Sequence, residues 1–286
     1  MPPSTWLVTG ASSGFGKSIA IAALAAGHMV IGTTRSVTNA EKSFPDFVTK
    51  GGIWLQLDPA QKDAYEQFAK VSKEYDIDVL VNNAGYAFIG GIEDTSEQEV
   101  RDQMEVNFYG CLRTVRAALP VLRAKRSGSI VLISSGAGFI ARPGRGIYSA
   151  SKFAIEAIHE SLIQEVKTLG IKVLIVEPGA FRTPFSTRLL FPAEFESNNG
   201  LSDAYKGTAL DDMVAMSRGI TAIPDAVKGD PDKAANEILK AVDGGHDYLR
   251  MILGQDCVEA LDEKLEQLNY DLKATRQIGL SVNVDK

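Results

Sequence analysis

Cysteine, histidine and basic charge are all scarce in this 286-residue chain, and each scarcity removes a class of chemistry. Cys111 and Cys257 lie far apart and match neither a redox pair nor a metal-ligand spacing, so two buried, reduced thiols are expected and no disulfide or metal centre. His28, His159 and His246 share no spacing through which imidazoles could converge on a metal or a proton, and core or surface positions are expected for all three. Thirty Lys and Arg stand against 36 Asp and Glu, a net charge of -6. With a pI near 5.2 and no basic stripe, nucleic acid is not an expected partner. No apolar run approaches the roughly 20 residues of a membrane-spanning helix. The first strand-like run begins at Thr5, leaving no room ahead of it for a cleavable signal, and a cytoplasmic location is the expectation.

What the chain does contain is 45% hydrophobic and 23% charged residues, enough apolar material for a substantial core. Short aliphatic or β-branched runs alternate with longer amphipathic stretches, the pattern of βαβ units and a parallel sheet. Strands are expected at Thr5 to Thr9, Met29 to Thr33, Ile53 to Leu57, Val79 to Asn82, Ser129 to Ser134, Lys172 to Glu177 and Tyr248 to Leu253. Most are apolar on both faces, as strands covered by helices on each side must be. Helices are expected at Phe15 to Ala26, Ala60 to Tyr75, Glu97 to Arg126, Tyr148 to Leu169, Asp232 to Val242 and Cys257 to Leu268. Pro120 is expected to bend or divide the third. The fold class that follows is α/β: a doubly wound, mostly parallel seven-stranded sheet with helices on both faces, in one domain over residues 1–286. Between Pro178 and Asp232 the rhythm fails, and a substrate loop or lid is expected at about 184–231.

Thr9-Gly10-Ala11-Ser12-Ser13-Gly14-Phe15-Gly16 follows the first strand and opens the first helix. Gly10 allows a tight turn, Gly14 removes bulk where a pyrophosphate would approach, and Gly16 permits close helix packing. The helix N-terminus then offers free N–H groups to phosphate. At the end of the second strand, Gly32-Thr33-Thr34-Arg35-Ser36 carries no carboxylate to bind a ribose 2'-hydroxyl. Arg35 suits a 2'-phosphate, which a carboxylate would repel, so NADP(H) is the expected cofactor; the competing reading is a solvated surface arginine. Ser13 and Ser36 have two readings, as further phosphate donors or as residues that cap or turn the chain.

Tyr148-Ser149-Ala150-Ser151-Lys152 sets a phenol and an ammonium one helical turn apart, where the cation favours the phenolate form. Ser135 lies at the end of the fifth strand and Asn107 in the preceding long helix. These residues resemble the short-chain dehydrogenase/reductase family: T-G-x-x-x-G-x-G, Asn82-Asn83-Ala84-Gly85, a helical Asn, Ser135, Y-x-x-x-K and Pro178-Gly179 stand in order between Thr5 and Thr183. The resemblance implies a Rossmann fold and an oxidoreductase in which Ser135 binds the substrate oxygen, Tyr148 gives or takes the proton, Lys152 holds the nicotinamide ribose, and Asn107 retains a water linking Lys152 to solvent. It further implies cofactor contacts from Gly10, Ser12, Ser13, Gly14, Phe15, Gly16, Arg35, Asp58 (near adenine), Asn83, Ala84, Gly85, Pro178, Gly179, Phe181 and Thr183. Asn82 would stabilise the central sheet. For Asn82 and Asn107, purely structural hydrogen bonding is the alternative.

The strand-end Thr-Arg, the Ala-Gly-Phe after Ser135 and the length of the segment after Pro178 are similar to hydroxysteroid- and retinol-dehydrogenase-like members. That resemblance implies a bulky apolar ketone, aldehyde or secondary alcohol as the small-molecule substrate. Phe88, Phe139, Ile140, Arg142 and Phe185 are pocket candidates at the ligand end of the sheet. The aromatics from Phe185 to Tyr205 either line an apolar pocket or pack the loop onto the body. Two other functions fit the same nucleotide site: a cofactor-binding regulator without catalysis, and an isomerase, epimerase or dehydratase. The intact Ser135, Tyr148, Lys152 and Asn107 weigh against the first. The family resemblance also implies a homodimer or homotetramer through the helices starting near Glu97 and Tyr148.

Overall fold

The computed structural model describes residues 2–220 and 226–284. Its strands and helices alternate as β1 (Thr5–Val8), α1 (Gly14–Ala25), β2 (Met29–Thr34), α2 (Val37–Ser43), β3 (Gly52–Gln56), α3 (Ala64–Glu74), β4 (Val79–Asn82), α4 (Glu97–Met104), α5 (Cys111–Lys125), β5 (Gly128–Ile133), α6 (Gly146–Val166), β6 (Ile171–Pro178), α7 (Ala209–Gly219), α8 (Pro231–Gly244), β7 (Arg250–Leu253) and α9 (Gln255–Ser281). The strands form one sheet in the order β3-β2-β1-β4-β5-β6-β7. Every pairing in it is parallel. The order reverses between β1 and β4, so their C-terminal ends border the crevice at which open α/β sheets bind ligands.

Alternation along each strand sends side chains to two separate cores. Trp6, Val8, Val30 and Val81 pack with Ile19 of α1 and Ile238 of α8 on one face. Leu7, Ile31, Leu80 and Ile130 pack with Phe68 of α3, Leu122 of α5 and Leu162 of α6 on the other. Both faces are therefore dry, as the doubly apolar strand pattern requires.

Four expectations need correction. Pro120 does not divide its helix: α5 runs through it, and both Pro120 and Arg116, whose carbonyl loses its donor, are exposed residues. The division falls earlier, where Glu105–Gly110 widens into a π-helical turn between α4 and α5. Residues 184–220 are not one irregular loop but three short 3₁₀ turns followed by α7, whose start is capped by Thr208 accepting from the Leu210 amide. Residues 221–225 of the expected 184–231 segment lie outside the described residues. The short α2 was not anticipated, and α9 continues well past the expected end at Leu268.

The 184–220 segment is strapped to the body by backbone bonds as well as apolar contacts. Ile89 N donates to Leu190 O at 2.8 Å, and Leu190 N to Ala87 O at 3.1 Å. Ser202 N donates to Asp94 Oδ2 at 2.9 Å, and Ala193 N to Glu99 Oε1 at 2.9 Å.

Ile130 is fully buried in β5, an interior strand, in the cluster that includes Leu122 of α5 and Leu162 of α6. Ile130→Ala is expected to cost about 2–5 kcal/mol. Urea unfolding should show a lower midpoint at unchanged slope; a loss under about 1 kcal/mol would mean this face is not close-packed.

Candidate active site

The turn after β1 is built by hydrogen bonds from the end of β4. Thr9 Oγ1 accepts from Asn83 N at 2.9 Å and Ala84 N at 3.0 Å. The Asn83 side chain returns a bond to Thr9 O at 2.9 Å and one to Gly10 O at 3.2 Å. Gly10 and Gly14 have φ of +63° and +55°, the left-handed region that glycine enters without a Cβ clash. A Cβ on Gly16 would sit 2.5 Å from both Asn83 Nδ2 and Gly10 O, so its smallness serves packing of α1 onto this turn. On the far side, the nearest atom to a Cβ on Gly14 would be Thr183 Cβ at 3.5 Å.

This turn suits a dinucleotide. The first amides of α1 have no intrahelical partner, no acidic residue stands in its first turn, and Ser13, at the capping position, makes no capping bond. Ser13 Oγ instead accepts from Arg188 Nη1 of the overlying segment at 3.0 Å. Arg35 is exposed at the end of β2 and forms no ion pair with the described residues. Ser36 is a cap, accepting from Asn39 N at 3.3 Å to start α2. Asp58, after β3, uses Oδ1 to accept from Ala60 N at 3.0 Å. Phe15 and Phe181 meet edge to face at 5.0 Å, closing the crevice between α1 and the end of β6. Gly179 beyond Pro178 leaves room for the Asp256 carboxylate, which accepts from Ala180 N at 2.8 Å.

The second half of the site hangs on α6. Tyr148 and Lys152 are 4% and 5% exposed, and Lys152 Nζ lies 6.0 Å from the Tyr148 ring centroid. The ammonium donates to Ile133 O at the end of β5 at 2.9 Å, which ties α6 to the strand that carries Ser135. Ser135 Oγ accepts from Ala137 N at 3.2 Å, holding the turn in which it sits. The Phe185 ring, 42% exposed, lies 6.2 Å from that of Tyr148. Ala87, Ile89, Ala137, Leu201, Leu210 and Val214 form a buried apolar cluster with Tyr148. Arg145, one turn before Tyr148, has a buried Nε without a hydrogen-bond partner among the described residues, and burial lowers its affinity for its proton.

Asn107 lies within the π-helical turn and is fully engaged. It accepts from Tyr86 N at 3.2 Å and donates to Tyr86 O at 3.0 Å and to Ser151 Oγ at 3.1 Å. Asn82 accepts from Thr114 and donates to Cys111 O at 3.3 Å, joining β4 to α5.

Of the pocket candidates, Phe185 alone makes a ring contact with Tyr148. Phe88 is buried, its amide donating to Gln103 Oε1 at 2.8 Å and its backbone bridging to Leu190. Phe139 is half-buried behind Gly136. Ile140 and Arg142 line a separate groove of about 350 Å³ with Phe153 and Lys264. A concavity of about 640 Å³ lined by Leu190, Phe191 and Arg218 belongs to the 184–220 segment and includes neither Tyr148 nor Ser135. Between the two readings of the loop aromatics, Phe191 and Tyr205 pack toward the body, while Phe185 stays open above Tyr148. All three histidines are buried and apart, and burial pushes the Cys111 and Cys257 thiols up to about 11 and about 12.

One cluster beneath the site has no counterpart in the sequence reading. Glu156, one turn beyond Lys152, and Glu177, just before Pro178, are both buried, and Arg250 of β7 reaches both carboxylates. Ser134 donates to Glu156, and Gly138 is bare because a Cβ there would collide with the same carboxylate. Glu177 Oε2 has no partner among the described residues. Burial and the neighbouring Glu156 charge raise Glu177 well above the carboxylate range, against the pull of Arg250. Spacing gave a signal for Glu156 alone: Tyr148, Lys152 and Glu156 recur every four residues along one helix face, whereas Glu177 and Arg250 come from other elements.

Comparison with known proteins identifies the family and the fold. The family model described as short chain dehydrogenase matches residues 4–190. An oxidoreductase of Passalora fulva, claN, is 43% identical over 219 residues, 76% of this chain and 97% of that protein. A 3-ketodihydrosphingosine reductase of Bacteroides thetaiotaomicron is 40% identical over 186 residues, 65% of this chain and 67% of that protein. A short-chain dehydrogenase structure from Streptomyces avermitilis superposes with a TM-score of 0.86 at 38% identity, covering 99% of this chain and 100% of that one. The same fold, at 23% identity and a TM-score of 0.72, holds NADPH in a Sphingobium yanoikuyae enzyme, with 99% of this chain and 97% of that one covered.

The buried carboxylate pair has a consequence for stability. As pH rises above about 4.5 the unfolded chain releases the Glu177 proton while the folded chain keeps it, so the unfolded state binds fewer protons and this site's contribution to stability falls. Glu177→Gln keeps the donor shape without the titration. The difference in unfolding free energy, variant minus wild type, should grow between pH 5.5 and pH 8.5 in urea titrations; a difference independent of pH would refute the assignment.

Proposed function

The chain belongs to the short-chain dehydrogenase family, and from that premise we propose an NADP(H)-dependent oxidoreductase acting on a hydrophobic ketone, aldehyde or secondary alcohol, with carbonyl reduction as its working direction. The observation that carries this reading is the phenol of Tyr148, buried in an apolar cluster with the Lys152 ammonium one turn away and a single exposed aromatic, Phe185, above it. When bound, a reduced nicotinamide supplies hydride.

Everything else falls to the chain's own groups. The Gly10–Gly16 turn and the N-terminus of α1 would receive the diphosphate, Arg35 the 2'-phosphate, Asp58, Ala84 and Gly85 the adenosine end, and Thr183 the carboxamide. Ser135 Oγ and Tyr148 Oη would both donate to the carbonyl oxygen, and negative charge that develops there is met by donors already in place. Tyr148 then passes its proton to that oxygen. The resulting phenolate would be stabilised by Lys152 and by the half-buried cation of Arg145 at the N-terminus of α6. The side chain of Asn107, occupied by Tyr86 and Ser151, holds α6 in place, so any water on the path to Lys152 is left to the backbone of the π-helical turn. Leu201, Leu210 and Val214 exclude solvent and favour an apolar substrate. The keto substrate named for the Bacteroides relative supports the carbonyl direction.

Purified protein should oxidise NADPH in the presence of bulky apolar ketones or aldehydes, followed by loss of reduced-nicotinamide absorbance. Tight NADPH binding with no turnover across such a screen would replace this reading with that of a binding protein. Tyr148→Phe should lower kcat by roughly 100-fold or more with the Kd for NADPH nearly unchanged. Arg35→Ala should raise the KM for NADPH about 10-fold, the loss of one charge-assisted contact, and leave NADH unaffected; equal effects on both cofactors would remove Arg35 from the 2'-phosphate site.

A further inference from the structure

The last helix outruns the body to which it is attached. Among the residues of α9 only Cys257 and Ala260 are buried, and from Leu265 to Ser281 every residue is exposed. That stretch rises about 25 Å into solvent. A helix in a protein draws most of its stability from packing one of its faces.

Its apolar residues supply such a face. Val258, Leu261, Leu265, Leu268 and Leu272 follow one another at alternating intervals of three and four, the spacing that draws a narrow seam along a helix for a second helix to cover. Val258, Leu265, Leu268 and Leu272 are each about half exposed. Cys257 and Ala260, which face the body, lie beside the seam and leave it open.

We infer that α9 pairs antiparallel with α9 of a second copy of this chain, Leu265 of each copy facing Leu268 of the other. In this register Leu261 faces Leu272 of the second copy and Val258 faces Thr275. The charges at the seam's edge decide for it. Lys264 and Asp271 occupy the same edge one repeat apart, and the Asp271 carboxylate accepts only the Gln267 amide, at 3.0 Å, among the described residues. The antiparallel register sets Lys264 of each copy against Asp271 of the other. It also opposes the two helix dipoles and keeps the two sheet bodies, each rooted at the Gln255 end, at opposite ends of the pair. A parallel pair would match Asp271 with Arg276 but crowd both bodies at one end and leave Lys264 facing Asn269. This contact is distinct from α4 and α6, the helices through which family resemblance implies association.

The test needs only full-length protein. A mixture of Leu265→Cys and Leu268→Cys proteins, oxidised after equilibration, should give a covalent dimer that neither gives alone; the native Cys111 and Cys257 are buried and should not contribute. Leu265→Lys, Leu268→Lys and Leu272→Lys combined should halve the mass measured by light scattering and leave NADPH binding unchanged, since none of the three side chains belongs to either face of the core. The inference is overturned by an unchanged mass in the triple variant or by a monomeric wild type that instead binds phosphatidylcholine vesicles. It is equally overturned by the absence of a mixed crosslink, or by equal crosslinking of Leu265→Cys alone, which marks a parallel pair.

Discussion

A charge taken out of water must be met by another charge or by an oriented dipole, and the inner face of α6 carries two, Lys152 and Glu156, one turn apart. Lys152 finds the last carbonyl of β5. Glu156 finds Ser134, the next residue of the same chain segment, and Arg250 of β7, which also reaches Glu177 at the end of β6. The ends of three strands are thus held to one helix by polar contacts that tolerate little displacement. Ser135 and Tyr148 inherit their placement from those contacts: Ser135 follows Ser134 directly, and Tyr148 stands one helical turn before Lys152 on α6.

The glycine-turn half of the site is organised differently, by hydrogen bonds between backbone groups and two short side chains. Thr9 and Asn83 exchange hydrogen bonds across the β1–β4 crevice, and the glycines are bare where φ is positive or where another backbone comes close. Arg188 bridges the two halves: it reaches from the segment covering Tyr148 to Ser13 beside the glycine turn. Under the proposed function, a segment anchored at both places would cover cofactor and substrate together and keep water from the hydride transfer.

How much of this was legible beforehand follows from how local each signal is. Strands β1 to β7 and most of the helices between them could be read because apolar runs and helical periodicity are properties of neighbouring residues. The glycine turn after β1 and the Tyr148–Lys152 pair on one helix could be read because each lies within a few positions of sequence. The Glu156–Glu177–Arg250 cluster could not, since its members come from α6, β6 and β7 and become neighbours only when those elements pack. The passage of α5 through Pro120 was also hidden, because it depends on water reaching the Arg116 carbonyl. So was α7, where Gly207 and the turns before it interrupt the pattern just ahead of a three-turn helix.

By itself, the order of residues determined the doubly wound sheet and the family, and singled out the phenol, the ammonium and the serine as candidates, because binary patterning and short motifs act over a turn or a strand. Only the tertiary structure decided which aromatic stands over Tyr148, that the Asn107 amide is spent on the scaffold, and that buried carboxylates lie beneath the site. Those facts rest on contacts between residues distant in sequence, whose geometry is set by how whole elements pack and not by what either residue is.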